Sequence, residues 1–347
     1  MTKRLSVIAL AAVALLGCTK NNYHPVYKDQ LVFSAVASHS AKSIITTTNY
    51  PLDEPFVVEA VHYPDKNKPS EFDTFLTREA VQYRFEEALW FTEKAYFWPM
   101  SGDMVFYAGS PIIPELQISP QHGVEADWSV PTDEYTQTDL CFAQVSADCD
   151  NHPAIVPIVF SHALSQICFK ARTLKHYASS QTSGNLVQAD IYNVVLDSVK
   201  IHGIVSKGHF TQKPLGWTND TTVTADYTVY ANKEGLKLTC DRYDNPILNT
   251  LTTVLFIPQN ILKNATLEEW HHIDVRSSIT NTDTGIIEKD ITYSLPKTSV
   301  LQLSDYCRQW LMDFKYTFRI AVGMEDTEIT TAVTDWMETK ERIIGDE

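Results

Sequence analysis

Histidine, serine, cysteine and the carboxylates are the side chains here whose types could do chemistry, and their spacing decides whether they can act together. His271 and His272 are adjacent; on an extended strand neighbours point to opposite faces, so the two imidazoles do not converge on one metal ion. His162 precedes Ser165 closely enough to suggest a base beside a nucleophile. Ser165 shares a strand face with Ile167 and Phe169, however, and reads as a partly buried strand serine. The sequence has no GxSxG, HExxH, Walker loop, dinucleotide fingerprint or CxxC pair, so it nominates no catalytic residue, no metal ligand set and no cofactor. Scattered Asp and Glu in an acidic protein read as solvated surface. The tryptophans could stack sugars, but core and interface packing explains most of them equally well.

The scaffold holding these side chains is bounded by composition. A chain of 347 residues corresponds to roughly two domains at about 150 residues each. With 28 Lys and Arg against 43 Asp and Glu, the net charge is −15. That excludes a phosphate-tracking, nucleic-acid-binding surface, which depends on cations displacing counterions. Hydrophobic residues at 44% and aromatics at 11% supply real cores and exclude global disorder.

At the N-terminus, Lys3 and Arg4 precede an apolar run from Leu5 to Leu16. The run is too short to span a bilayer as a helix and reads as a secretory signal. It ends in Leu15-Leu16-Gly17-Cys18, which resembles a bacterial lipobox. The resemblance implies cleavage before Cys18 and a diacylglycerol on its thiol. Residues 1–17 are thus expected to be a signal peptide and 18–30 a lipidated linker, holding the chain to an outer membrane without spanning it. Five further cysteines remain, Cys141, Cys149, Cys168, Cys240 and Cys307, an odd number that cannot all pair within one chain. Cys141 with Cys149 is the one local candidate disulfide, if the segment between them returns alongside its own start. Cys168, within Ile167-Cys168-Phe169, reads as a small buried apolar residue.

Periodicity gives the fold class. Phe314, Tyr316, Phe318, Ile320 and Val322 alternate with Lys315, Thr317, Arg319 and Ala321, a period of two that buries one strand face. Val223 to Val229 and Ile291 to Leu295 repeat the pattern, as do Ile273, Val275 and Ile279. The polar stretch Asn281 to Gly285 reads as the turn of a hairpin. Glu79 to Phe91 is the nearest helical candidate. The expectation is an all-β chain, most simply two β-sandwiches. The turn cluster Asp148 to Pro153 places their boundary, giving units 31–152 and 153–347.

One resemblance covers most of the chain. The lipobox cysteine is followed by Leu31-Val32-Phe33-Ser34-Ala35, Phe56-Val57-Val58-Glu59-Ala60 and Tyr96-Phe97-Trp98-Pro99. Then come Met104-Val105-Phe106-Tyr107-Ala108-Gly109-Ser110-Pro111, the segment Val156 to Ile167, Leu255-Phe256-Ile257-Pro258-Gln259, a strand centred on Tyr316 and a closing Ile329 to Trp336 segment. This succession resembles the fimbrillin family, the lipoprotein precursors of type V pili in Bacteroidetes-type bacteria. The resemblance implies two β-sandwich domains of transthyretin-like topology, no enzymatic activity, and a place in a surface fimbrium beside other pilus subunits as a homo- or heteropolymer. It further implies that a trypsin-like protease removes the lipidated N-terminal segment with the first strand, here Leu31, Phe33 and Ala35. A neighbour's C-terminal strand then fills the groove, and Ile329, Thr331, Val333 and Trp336 make up that candidate donor strand. Shaft subunits are usually cut after an arginine. Between Leu31 and Tyr50 this chain has none, and Lys42 followed by Ser43 is the candidate cleavage site. Shaft, anchor and tip positions, and a host or bacterial surface receptor, are all compatible with this reading. The alternative function is a monomeric cell-surface lipoprotein that binds a glycan or host ligand.

Overall fold

The computed structural model describes residues 29–37, 50–68, 70–173, 192–238, 245–246, 253–261, 271–282, 292–323, 327–335 and 342–344. Cys18, Lys42, Ser43, Cys240 and Trp336 lie outside them, as does the 1–17 leader.

Nearly every described element is a strand. The first unit is a ring in the order β1 (Phe33–Ala37), β4 (Leu89–Thr92), β3 (Asp73–Arg84), β2 (Phe56–Tyr63), β5 (Asp103–Ser110), β8 (Cys141–Asp148), β9 (Val156–His162), which closes because β1 pairs with both β4 and β9. Residues alternate inward and outward along each strand. Inside the ring they form a dense aromatic core: Phe56 sits 5.3 Å from Trp90 and 5.2 Å from Phe160, and Phe33 meets Phe106 edge-on at 5.9 Å. Contacts of this geometry add about 0.5–1.5 kcal/mol each beyond their buried area.

The second unit stacks two sheets. One runs β15 (Asn245–Pro246), β10 (Ser165–Thr173), β21 (Phe314–Val322), β22 (Thr327–Asp335), β23 (Arg342–Ile344), with β16 (Thr253–Phe256) also on β10. The other runs β14 (Thr224–Lys237), β11 (Tyr192–Val205), β18 (His272–Thr282), β19 (Thr292–Gln302). Ile167, Phe169, Phe318 and Ile320 from the first sheet and Leu196, Val199, Ile273 and Val275 from the second belong to one buried cluster. A third sheet, β13 (Leu215–Asn219), β12 (Lys207–Gln212), β7 (Gly123–Ser129), β6 (Leu116–Ser119), draws strands from both halves of the chain. Its Phe210 packs 5.0 Å from Phe142, joining the second core to the outer face of the ring. The short pair β17 (Gln259–Asn260) and β20 (Gln309–Trp310) completes the described strands.

The all-β expectation describes this chain. The helical candidate Glu79 to Phe91 is instead a hairpin: β3 and β4 pair from Val81↔Thr92 to Arg84↔Leu89, and Ala88 turns the chain at φ 55. Strand pairing prevails there because Val81, Leu89, Trp90 and Phe91 are all buried by it. The switch from ring to second unit falls between His162 and Ser165, since β9 pairs with β1 and β8 while β10 pairs with β16 and β21. Ala163 and Leu164 at this crossing are fully buried.

Candidate functional site

The N-terminal strand is a wall of the ring. Five register pairs, Phe33↔Val156 to Ala37↔Phe160, tie β1 in parallel to β9, whereas β4 meets it at Phe33↔Trp90. Phe33, Ala35 and Ala37 point inward and are buried; Val36, on the outer face, is exposed. The segment just before β1 is anchored as well. Leu31 and Val32 are buried, the Leu31 N–H donates to Tyr96 O at 2.8 Å, and the Val156 N–H donates to Val32 O at 2.8 Å. Burying Leu31 and Phe33 contributes about 1.5–3 kcal/mol each. A chain without this segment has an apolar slot flanked by two strands with unpaired backbone groups, which is the geometry that accepts an added strand.

At the other end of the chain, β22 pairs with β21 over nine positions, from Phe314↔Asp335 to Val322↔Thr327, and β23 covers part of its far edge. Ile329 and Thr331 are buried and Val333 is half-buried on one face, while Ala332 is buried on the other. The strand thus has the period-two apolar face that a donor needs, and here it is seated on its own unit.

The cysteines do not form the local disulfide. Cys141 and Cys149 are both free. Cys141 opens β8 and Cys149 follows its last residue, so eight extended residues hold the thiols about 26 Å apart. The spacing reads as an excursion only if the intervening chain turns back, and it runs straight. Cys168 is buried and free, the small apolar role expected of it. Cys141 instead faces Asp139 Oδ2 at 3.5 Å and His162 Nδ1 at 3.6 Å, with His162 and Asp139 in contact through the same two atoms. Burial first, and the Asp139 charge second, push the Cys141 thiol well above its ordinary pKa. Ser165 Oγ donates to Leu311 O at 2.8 Å and is fully buried, so His162 and Ser165 have separate partners and form no nucleophile–base pair.

His271 and His272 stay apart, His271 buried and His272 stacked on His202 across the β11–β18 pair at 4.6 Å and 13°. Sequence spacing missed His202 because its neighbours arrive from other strands, His272 and Asp274 from β18 and Asp226 from β14. Trp90, Trp98, Trp128 and Trp310 are buried and Trp217 is half-buried, donating its Nε1–H to Ala163 O at 2.7 Å. Among the described residues no tryptophan offers an exposed sugar-stacking face.

A profile of the fimbrillin-like family matches residues 58–336. No curated protein sequence matches the chain. Among solved structures, a fimbrial protein from Bacteroides vulgatus superposes with a TM-score of 0.60 at 14% identity, covering 88% of this chain and 99% of that one. A candidate cell adhesion protein from Bacteroides uniformis gives 0.50 at 13% identity, covering 89% of this chain and 100% of that one. At these identities the likeness is one of fold.

Proposed function

This chain belongs to the fimbrillin-like family, and from that premise we propose that it is a structural or adhesive subunit of a surface pilus, exported as a lipoprotein and joined to other subunits by strand exchange. The pairing scheme carries the reading. In the first unit the opening strand β1 lies parallel to the closing strand β9; in the second the opening strand β10 lies parallel to β21. Each unit thus pairs its opening strand in parallel with a late strand of its own, and β22 with β23 follows beyond that pair on the far edge of β21. A removable first strand at one end and a supernumerary strand at the other are the two halves of a head-to-tail polymer, a heterologous contact that propagates without closing.

Donation requires β22 to leave β21 and lie in the slot of the next subunit, where backbone hydrogen bonds and an apolar side-chain row replace those of β1. The lipid on Cys18 would hold the precursor to the outer membrane until the N-terminal segment is cut. The lack of an arginine between Leu31 and Tyr50 favours an anchor or accessory position, where the lipid is kept, as much as a shaft position. The reading is tested by shearing surface material from producing cells and immunoblotting it without boiling. An SDS-resistant ladder, or co-migration of this chain with a larger polymer, is expected. A single monomer band under every growth condition defeats it.

A further inference from the structure

His202, His272 and Asp274 converge on one point of the β14–β11–β18–β19 sheet. His202 and His272 are directly opposite each other in register, and Asp274 follows His272 by two residues on the same strand face. One carboxylate oxygen of Asp274 faces each ring: Oδ2 lies 3.3 Å from His202 Nε2, and Oδ1 lies 3.9 Å from His272 Nε2. The three donors fall within 4.8 Å of one another. His202 Nε2 and Asp274 Oδ1 are shielded from solvent and have no hydrogen-bond partner among the described residues. Buried polar atoms without a hydrogen bond are costly unless something else satisfies them.

The surroundings orient this set. A β-bulge interrupts the β11 ladder between Ile201 and Ile204, with Gly203 at φ +72, and bulges re-aim side chains beside functional sites. Here the bulge turns the Gly203 N–H onto Asp226 Oδ1 at 3.0 Å, while Asp226 Oδ2 lies 3.0 Å from His202 Nδ1. Asp226 at Nδ1 holds the His202 ring with Nε2 turned toward Asp274, the carboxylate–histidine arrangement that orients metal ligands.

We propose that His202 Nε2, His272 Nε2 and the Asp274 carboxylate bind a divalent zinc-class transition metal ion, with water or a neighbouring molecule's side chain in the fourth position. Nitrogen and carboxylate ligands at about 2.0–2.2 Å from tetrahedral zinc stand about 3.4 Å from one another, close to the separations found. The cluster is half-buried on its strands, so an ion can enter from solvent.

The test is titration of the purified, chelator-stripped full chain with Zn²⁺ against a chromophoric competitor, followed by X-ray absorption at the zinc edge. One equivalent bound through nitrogen and oxygen alone is expected. H202N and H272N should each lower the affinity at least tenfold, D226N about 10–100-fold, and C141S not at all, with circular dichroism unchanged. Failure to bind zinc, or sulfur in the shell, which would move the ion to the Asp139–Cys141–His162 group, overturns the proposal. So does retained affinity in H202N and H272N. The absorption spectrum of the unmodified chain decides the matter even if a histidine variant fails to fold.

Discussion

Asp139 and His162 touch in the fully buried junction between ring and second unit, with the Cys141 thiol against both. Among the described residues Asp139 Oδ1 has no hydrogen-bond partner, and the carboxylate is held through Oδ2 by His162 and the Cys141 thiol. Removing one partner of a buried hydrogen-bonded pair leaves the other unsatisfied, at a cost of about 1–3 kcal/mol. His162→Leu should therefore lower the free energy of urea unfolding by about that amount, while D139N/H162L should recover part of it. Equal losses in the single and double variants would show that the pair is uncoupled. None of this was legible in the sequence, since Cys141 opens β8, Asp139 lies just before it and His162 ends β9, and the β8–β9 pairing fixes their approach.

A second residue-scale prediction concerns pH. Lys66 Nζ sits 2.8 Å from Asp148, 3.3 Å from Asp150 and 3.5 Å from Asp103, tying the turn after β2 to the ends of β5 and β8. The hydrogen bond from Lys66 holds the Asp148 carboxyl below its ordinary range, and the hydrogen bond to Asp148 holds the Lys66 ammonium above its own. A depressed carboxyl stabilises the fold above its unfolded pKa, about 3.9, and that contribution is lost as pH falls through the folded value. The raised ammonium contributes below about 10.4 and is lost as pH rises through its folded value. Wild type should therefore exceed Lys66→Met in Tm at neutral pH, with the gap closing toward pH 3. Because these groups are exposed, 1 M salt should shrink the gap; a gap unchanged by acid and salt would assign Lys66 a packing role.

At the scale of elements, strands with one wet face were legible and strands with two covered faces were legible only in part. β21 was readable from its alternation, yet Thr317 and Ala321, on the face expected to be wet, are buried beside Phe318 and Ile320 because β10 and β22 flank the strand in a packed sheet. The β18–β19 hairpin pairs continuously from His272↔Gln302 to Thr282↔Thr292, as the polar turn suggested. The bulges in β11 left no mark in the pattern because one extra residue only shifts the phase of an otherwise ordinary strand. For β22, deleting residues 326–347 should leave a folded monomer by circular dichroism that forms no polymer ladder. The milder Ile329→Asp, which places a charge on the buried face, should weaken polymerisation more than it weakens the fold. Unchanged ladders would defeat the donor role. An unfolded deletion product would make β22 an ordinary core strand of its own unit.

At the scale of the whole molecule, what matters is where the chain is cut. β1 ends at Ala37, and Tyr50 is again fully buried, its hydroxyl donating to Ser110 Oγ at 2.7 Å. A cut between these points frees the first strand and leaves the rest of the ring intact. Ser38 to Thr48 contains no proline, and Lys42 is its only lysine or arginine. The next arginine downstream is Arg78, inside β3, where its guanidinium donates to the carbonyls of Ile113 and Leu116. A protease must take its substrate in an extended, unpaired form, so cutting there requires β3 to leave both β2 and β4, to which it is paired. We therefore expect a shaft subunit to begin at Ser43 in N-terminal sequencing of surface polymer, and an anchor to retain an acylated Cys18 in intact-mass measurement. K42A should block the first form and leave the second unchanged. A surface form beginning after Arg78 would sink both versions, since the remaining ring could not present the slot between β4 and β9 on which strand exchange depends.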